Sequence, residues 1–139
     1  MEIITDHLHL QTGRDLDIID ITDQIKGIIN SHGITRGQVT IFVQGSTGGI
    51  STIEYEPGLL KDLPELWEKL APSAKTYHHN KTWHDGNGHA HLRATLTKPD
   101  LTVPIENGEM TLGTWQQIIF LDYDVPARSR KLVVQIIGE

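Results

Sequence analysis

Between Tyr77 and His91 the chain reads Tyr-His-His-Asn-Lys-Thr-Trp-His-Asp-Gly-Asn-Gly-His-Ala-His, and these fifteen residues hold five of its eight histidines. Histidine titrates near neutral pH and is the commonest metal ligand. Here it is mixed with a carboxylate, amides and two glycines. That mixture suits neither a hydrophobic core nor an inert linker. It suits acid–base catalysis or a metal site, with a polar surface loop as the plain alternative. Zinc takes neutral histidine nitrogen and carboxylate oxygen at roughly 2.0–2.2 Å, whereas magnesium prefers oxygen and keeps its waters. A histidine-rich donor set therefore favours zinc, manganese or nickel, although the spacing matches no standard zinc signature.

The meaning of His89 and His91 depends on the element that carries them. On a strand, residues two apart point to one face and could share an ion. On a helix they point to opposite sides. From His89 to Leu96 the polar and apolar residues alternate, which predicts a strand, while Asp85-Gly86-Asn87-Gly88 could equally open a helix near His89. Pattern alone leaves both open.

A second candidate is the loop Gln44-Gly45-Ser46-Thr47-Gly48-Gly49. Glycines let backbone N–H groups converge on an anion, and Ser46 and Thr47 add hydroxyl donors. No Gly-Lys-Ser/Thr follows, so this is not a P-loop. Lys81, Arg93, Arg128 and Arg130 are possible phosphate partners, each of which singly reads as a solvated charge. Trp115, flanked by polar residues, is expected to pack in a core or an interface.

The scaffold around these residues is short. At 139 residues, with 37% hydrophobic and 22% charged side chains, one domain with one core is expected over 1–139. The formal net charge of −6 argues against non-specific nucleic-acid binding. With no cysteine there is no disulfide, thiolate site or cysteine nucleophile. The first residues lack a basic start followed by an apolar run, and no run approaches the ~18 apolar residues of a membrane span. The expectation is a soluble cytoplasmic protein without a membrane partner.

Opening strands are expected around Ile4–Leu10 and over Asp17–Asp20. Thr22 is expected to cap a helix from Asp23 to Ser31 that stops at Gly33. Val39–Val43 reads as a buried strand and Ser51–Glu54 as a short return. A second helix opens at Pro57-Gly58, with Pro64 splitting or kinking it. Leu101–Ile105 and Glu109–Leu112 flank Asn107-Gly108, a type I′ hairpin signal. Trp115–Tyr123 and Lys131–Ile137 complete the strands. Few helices early and hairpins late predict an α+β fold with mainly antiparallel sheet.

With these elements in place, the chain resembles the secondary thiamine-phosphate synthase family, also called YjbQ-like. Tyr77, His79 and Asn80 carry the resemblance, as do Asp85, Gly86, Asn87, His91 and Leu92. Val103-Pro104-Ile105 with Gly108, Leu112-Gly113-Thr114-Trp115-Gln116, and the ending Arg130–Val134 with Gly138-Glu139 extend it over nearly the whole chain. The resemblance implies a mainly antiparallel β-sandwich core with a few helices, assembled as a homotrimer. It also implies a short helix after the Asp-Gly-Asn loop, making His91 the better site residue and His89 secondary.

The activity it implies joins hydroxymethylpyrimidine diphosphate to a thiazole phosphate and releases pyrophosphate, in many members as a weak or secondary activity. On this reading His79, Asp85 and His91 are catalytic. The same three, with His89, are candidate ligands of a divalent metal ion, zinc or magnesium. Ser46, Thr47, Gly48, Asn87 and Arg93 are candidate contacts of a small phosphorylated molecule. One departure stands out: where many members carry a histidine before the hydroxyl pair, this chain has Gln44-Gly45. A metal-dependent hydrolase and a non-catalytic ligand-binding trimer are the alternatives.

Overall fold

The computed structural model describes residues 1–139. The elements run β1 (Glu2–Gln11), β2 (Asp17–Asp20), α1 (Thr22–Ser31), β3 (Gly37–Val43), β4 (Gly48–Ile53), α2 (Leu59–Leu70), α3 (His78–Trp83), α4 (Gly88–Thr97), β5 (Asp100–Glu106), β6 (Glu109–Met110), β7 (Gln117–Asp122) and β8 (Ser129–Gly138). A five-stranded sheet has the order β1-β8-β3-β5-β6, and a three-stranded sheet the order β2-β7-β4. Every pairing is antiparallel. The fold is α+β, as expected.

Period-two patterning builds the layers. Val39, Ile41 and Val43 of β3 and Leu132, Val134 and Ile136 of β8 face inward, as alternate residues of a half-buried strand must. They meet Ile50 of β4, Ile118 and Phe120 of β7, and Ile25 and Ile29 of α1 in the main core. Alternate residues of β7, Ile119 and Leu121, point the other way. There they join Trp67 of α2, Ala90 and Ala94 of α4, and Tyr123 in a second, smaller core. The small sheet is thus sandwiched between the large sheet and the helices, which explains why β7 is apolar on both faces. No helix is long and apolar enough to cross a membrane.

Several local expectations are revised. Thr22 is the first residue of α1, not its cap. Its hydroxyl donates to Asp20 Oδ1 at 2.6 Å and accepts from the Ile118 amide at 2.8 Å, so it ties the helix to β7. Asp20 takes the capping part by accepting the Thr22 amide at 3.0 Å. Pro64 does not split α2, which runs unbroken from Leu59 to Leu70. Proline removes the hydrogen bond to the Leu60 carbonyl, at a cost of about 3 kcal/mol in an isolated helix. Here Leu63 and Trp67, packed on the small sheet, hold the helix on either side of it.

The second strand of the hairpin is only Glu109–Met110, and β7 starts at Gln117. Trp115 therefore lies in a turn and is 71% exposed, outside the core. Asn107 (φ 53°) and Gly108 (φ 79°) do form the turn with two positive φ values, as type I′ requires.

Candidate functional site

Four chain segments converge at one end of the sandwich. They are the loop Gln44–Thr47 after β3, the segment Asp122–Lys131 joining β7 to β8, the loop after α3, and the start of α4. Together they line a cavity of about 530 Å³ with no hydrophobic residue in its wall. Two smaller cavities, of about 300 Å³ between α1 and the Gly108–Gln117 turn and about 390 Å³ beside Leu16 and Arg93, hold no comparable cluster of histidines.

The floor is a buried ionic network. Asp122, with no exposed surface, receives Arg130 Nε at 2.9 Å and Nη2 at 2.8 Å. Thr12 Oγ1 donates to the same carboxylate at 2.7 Å. Arg130 Nη2 also reaches Thr47 Oγ1 at 2.8 Å, and Thr47 in turn donates to Asp124 Oδ2 at 3.2 Å. Arg128 grips that oxygen through Nε and Nη2, both at 2.7 Å. Burial would raise the pKa of Asp124, but the Val125 amide, Arg128 and Asn87 outweigh it and hold the carboxyl below its ordinary value. Charge-assisted bonds of this kind are short and strong.

Gly45 shapes the rim. Its φ of 129° suits glycine, and a Cβ there would stand 3.2 Å from Arg130 Nη1. That nitrogen makes no hydrogen bond to the chain, and the next residue of β8, the exposed Lys131, also lines the cavity.

The histidine wall comes from α3 and α4. The segment His89–Leu96 is helical, not a strand, so His89 and His91 face opposite sides, as the implied short helix anticipated. His91 Nδ1 lies 3.1 Å from the Ser46 carbonyl. A carbonyl only accepts, so Nδ1 carries the proton and Nε2 offers its lone pair. The rings of His79 and His91 stand 4.5 Å apart at 64°. His79 Nε2 is 3.4 Å from Asp85 Oδ1 and 3.0 Å from the side-chain oxygen of Asn87. The structure therefore brings together His79, Asp85, Asn87, His91, Ser46 and Thr47.

It does not bring Gly48, His89 or Arg93 to this place. Gly48 is the first residue of β4, where a Cβ would lie 3.0 Å from the Phe120 ring, so the glycine serves close packing. Arg93 is buried between α4 and α2, with Nε and Nη2 on the Ala71 carbonyl and Nη2 on Glu68 at 2.8 Å. His89 is 4% exposed, and its Nδ1 has no partner. Burial first, and Arg93 second, push its pKa below the ordinary value.

That shift sets a pH dependence. A neutral buried histidine contributes full stability above its unfolded pKa, near 6.5, and the contribution shrinks as pH falls toward the folded pKa. Chemical denaturation should therefore show stability falling below about pH 6.5, by up to about 1.4 kcal/mol per pH unit, with less of this slope in His89→Gln. Equal slopes in the two proteins would refute it.

Asp122, Asp124 and Lys131 carry much of the site and were not among the sequence candidates. The one available signal is the pair Asp-x-Asp and Arg-x-Arg, four residues apart, at the mouth of the β7–β8 connection.

The molecule is a small α+β protein, a two-sheet antiparallel sandwich with a histidine–carboxamide–carboxylate wall facing cationic side chains across one polar cavity. The chain belongs to the YjbQ-like UPF0047 family, whose model matches residues 6–139. A UPF0047 protein of Methanothermobacter thermautotrophicus is 40% identical over 139 residues, spanning 100% of this chain and 95% of the relative. One from Archaeoglobus fulgidus is 41% identical, spanning 92% and 97%. A solved YbjQ-like protein of unknown function from Sulfolobus solfataricus superposes with a TM-score of 0.94 at 34% identity, covering 99% of each chain. A hypothetical protein from Aeropyrum pernix gives 0.91 at 31% identity, covering 100% of each.

Proposed function

We propose that this protein is an enzyme acting on small phosphorylated molecules, of the thiamine-phosphate synthase type. It would join hydroxymethylpyrimidine diphosphate to a thiazole phosphate and release pyrophosphate. The observation that carries the reading is the wholly polar cavity, with Arg128, Arg130 and Lys131 opposite Asp85, Asn87 and His91. When the carbon–oxygen bond to the diphosphate breaks, the electron pair leaves with pyrophosphate. Preorganised cationic donors stabilise that charge most in a site shielded from water. Arg130 Nη1 and Lys131 are placed to do this, and Ser46 supplies a hydroxyl, while Thr47, already bonded to Asp124 and Arg130, positions the guanidinium. The thiazole nitrogen's lone pair forms the new carbon–nitrogen bond, and His91 Nε2 can take a proton from the pyrimidine amino group as pyrophosphate leaves and return it as that bond forms.

The same polarity supports a second reading. A wall without apolar residues suits phosphate and water better than two aromatic rings, which favours a phosphate-releasing hydrolase unless a neighbouring copy completes the cavity. A homotrimer, implied by the family resemblance, belongs to the first reading.

Pyrophosphate release by the purified protein separates them. Release that needs both the pyrimidine and the thiazole substrate is the expected result, from a species whose light-scattering mass is near three times 15.6 kDa. Release from the diphosphate alone would replace the synthase by the hydrolase. Phosphate binding without any turnover would leave a ligand-binding protein.

A further inference from the structure

We propose that the carboxamide oxygen of Asn87, with Asp85 and His79, forms a binding face for a first-row divalent transition ion, zinc being the best match. The proposal deepens the reading above and rests on the same cavity. No three His, Asp or Glu side chains here form a metal site by themselves. Adding the amide changes this. His79 Nε2, Asp85 Oδ1 and the near atom of Asn87 stand 3.4, 3.0 and 2.9 Å apart. Ligands at roughly 2.0–2.2 Å from one ion are themselves separated by about 2.8–3.1 Å where they meet at right angles and about 3.3–3.6 Å in a tetrahedron. The three atoms thus form a triangle of the size of one face of a coordination shell.

The surroundings of Asn87 point to a cation independently. The residue is 8% exposed and lies between two carboxylates. In one orientation its nitrogen donates to Asp124 Oδ1 at 3.3 Å. Its oxygen then faces both Asp85 oxygens, at 2.9 and 3.1 Å, with no proton between them. In the other orientation the nitrogen donates to Asp85 and His79, and the oxygen takes the nitrogen's former place 3.3 Å from Asp124 Oδ1. Either way one carboxylate meets an oxygen, and a buried polar group left so is costly. A cation on the Asp85 side resolves the conflict: the amide donates to Asp124 and lends its oxygen to the ion.

His91 is prepared in the same sense. Its Nδ1–H is held by the Ser46 carbonyl, which leaves Nε2 as the free lone pair. Metal-binding histidines are oriented by such a bond from the other ring nitrogen. Imidazole, carboxylate and amide oxygen together suit zinc or manganese better than magnesium. A bound ion would supply positive charge beside a phosphate leaving group.

Calorimetric titration of chelator-stripped full-length protein with zinc chloride tests this without any substrate. One zinc per chain is expected, weakened at least about tenfold in Asp85→Asn and in Asn87→Leu, since losing even a supporting partner costs 10–100-fold. The exposed His84 serves as control, and His84→Asn should bind as the parent does. Circular dichroism verifies folding. Should Asn87→Leu fail to fold, Asp85→Asn, at a half-exposed residue, decides alone. Absence of binding in the parent, equal affinity in Asp85→Asn, or an equal loss in His84→Asn would overturn the proposal. A chain that binds zinc but releases no pyrophosphate refutes the synthase reading and leaves the metal site standing. Turnover without zinc binding does the reverse.

Discussion

Arg130→Met should destabilise the protein by about 3–5 kcal/mol, the usual result of removing one partner from a buried ion pair. The substitution leaves Asp122 without its guanidinium, in a place with no exposed surface. Thr47 loses a donor at the same time, and Thr12 is left as the only side-chain donor to Asp122. Urea unfolding gives the number directly. The double variant Asp122→Leu/Arg130→Met should recover much of the loss, because two apolar side chains no longer bury an unpaired charge. A cost below about 1 kcal/mol for the single variant, typical of an exposed pair, would show that the network is not the foundation of the pocket.

The second large effect concerns activity. His91→Ala should lower turnover by about 10²–10⁴-fold, the range for loss of a positioned acid or base, with little change in melting temperature. His91 is only partly buried, and its one hydrogen bond is to the Ser46 carbonyl. Its removal empties no core. His84, at the left-handed end of α3 (φ 57°), is the comparison. His84→Asn keeps a residue that tolerates that backbone and should turn over normally. Equal losses in both variants, or unfolding of His91→Ala, would assign His91 a structural part.

Much of this architecture was legible in the sequence because it rests on local signals. A β-branched apolar run marked β3, and Asn107-Gly108 marked its turn, whereas the alternation over His89–Leu96 pointed to a strand and the chain forms α4 there. The histidine cluster was legible for the same reason: His79, Asp85, Asn87 and His91 lie within two short helices and one loop. What escaped depended on distant partners. The hydroxyl of Thr22 reads as a cap until β7 arrives to use it. Gly48 reads as part of an anion loop until Phe120 fills the space above it. Arg93 was a phosphate candidate by charge alone, and only the packing of α4 on α2 shows what it holds. The cationic wall was least legible, since Arg128, Arg130 and Lys131 meet the glycine loop only through the pairing of β8 with β3.

That pairing also orders events when the chain folds. The final strand, β8, lies between the first strand and the third. Until it is made and inserted, β1 and β3 both present open backbone edges, the usual templates for faulty association. Contacts so distant in sequence slow folding to about milliseconds to seconds. The cationic side of the cavity sits at the start of that same strand, so the pocket is among the last features to take shape. A newly made chain would have its histidine helices before it has the wall they face.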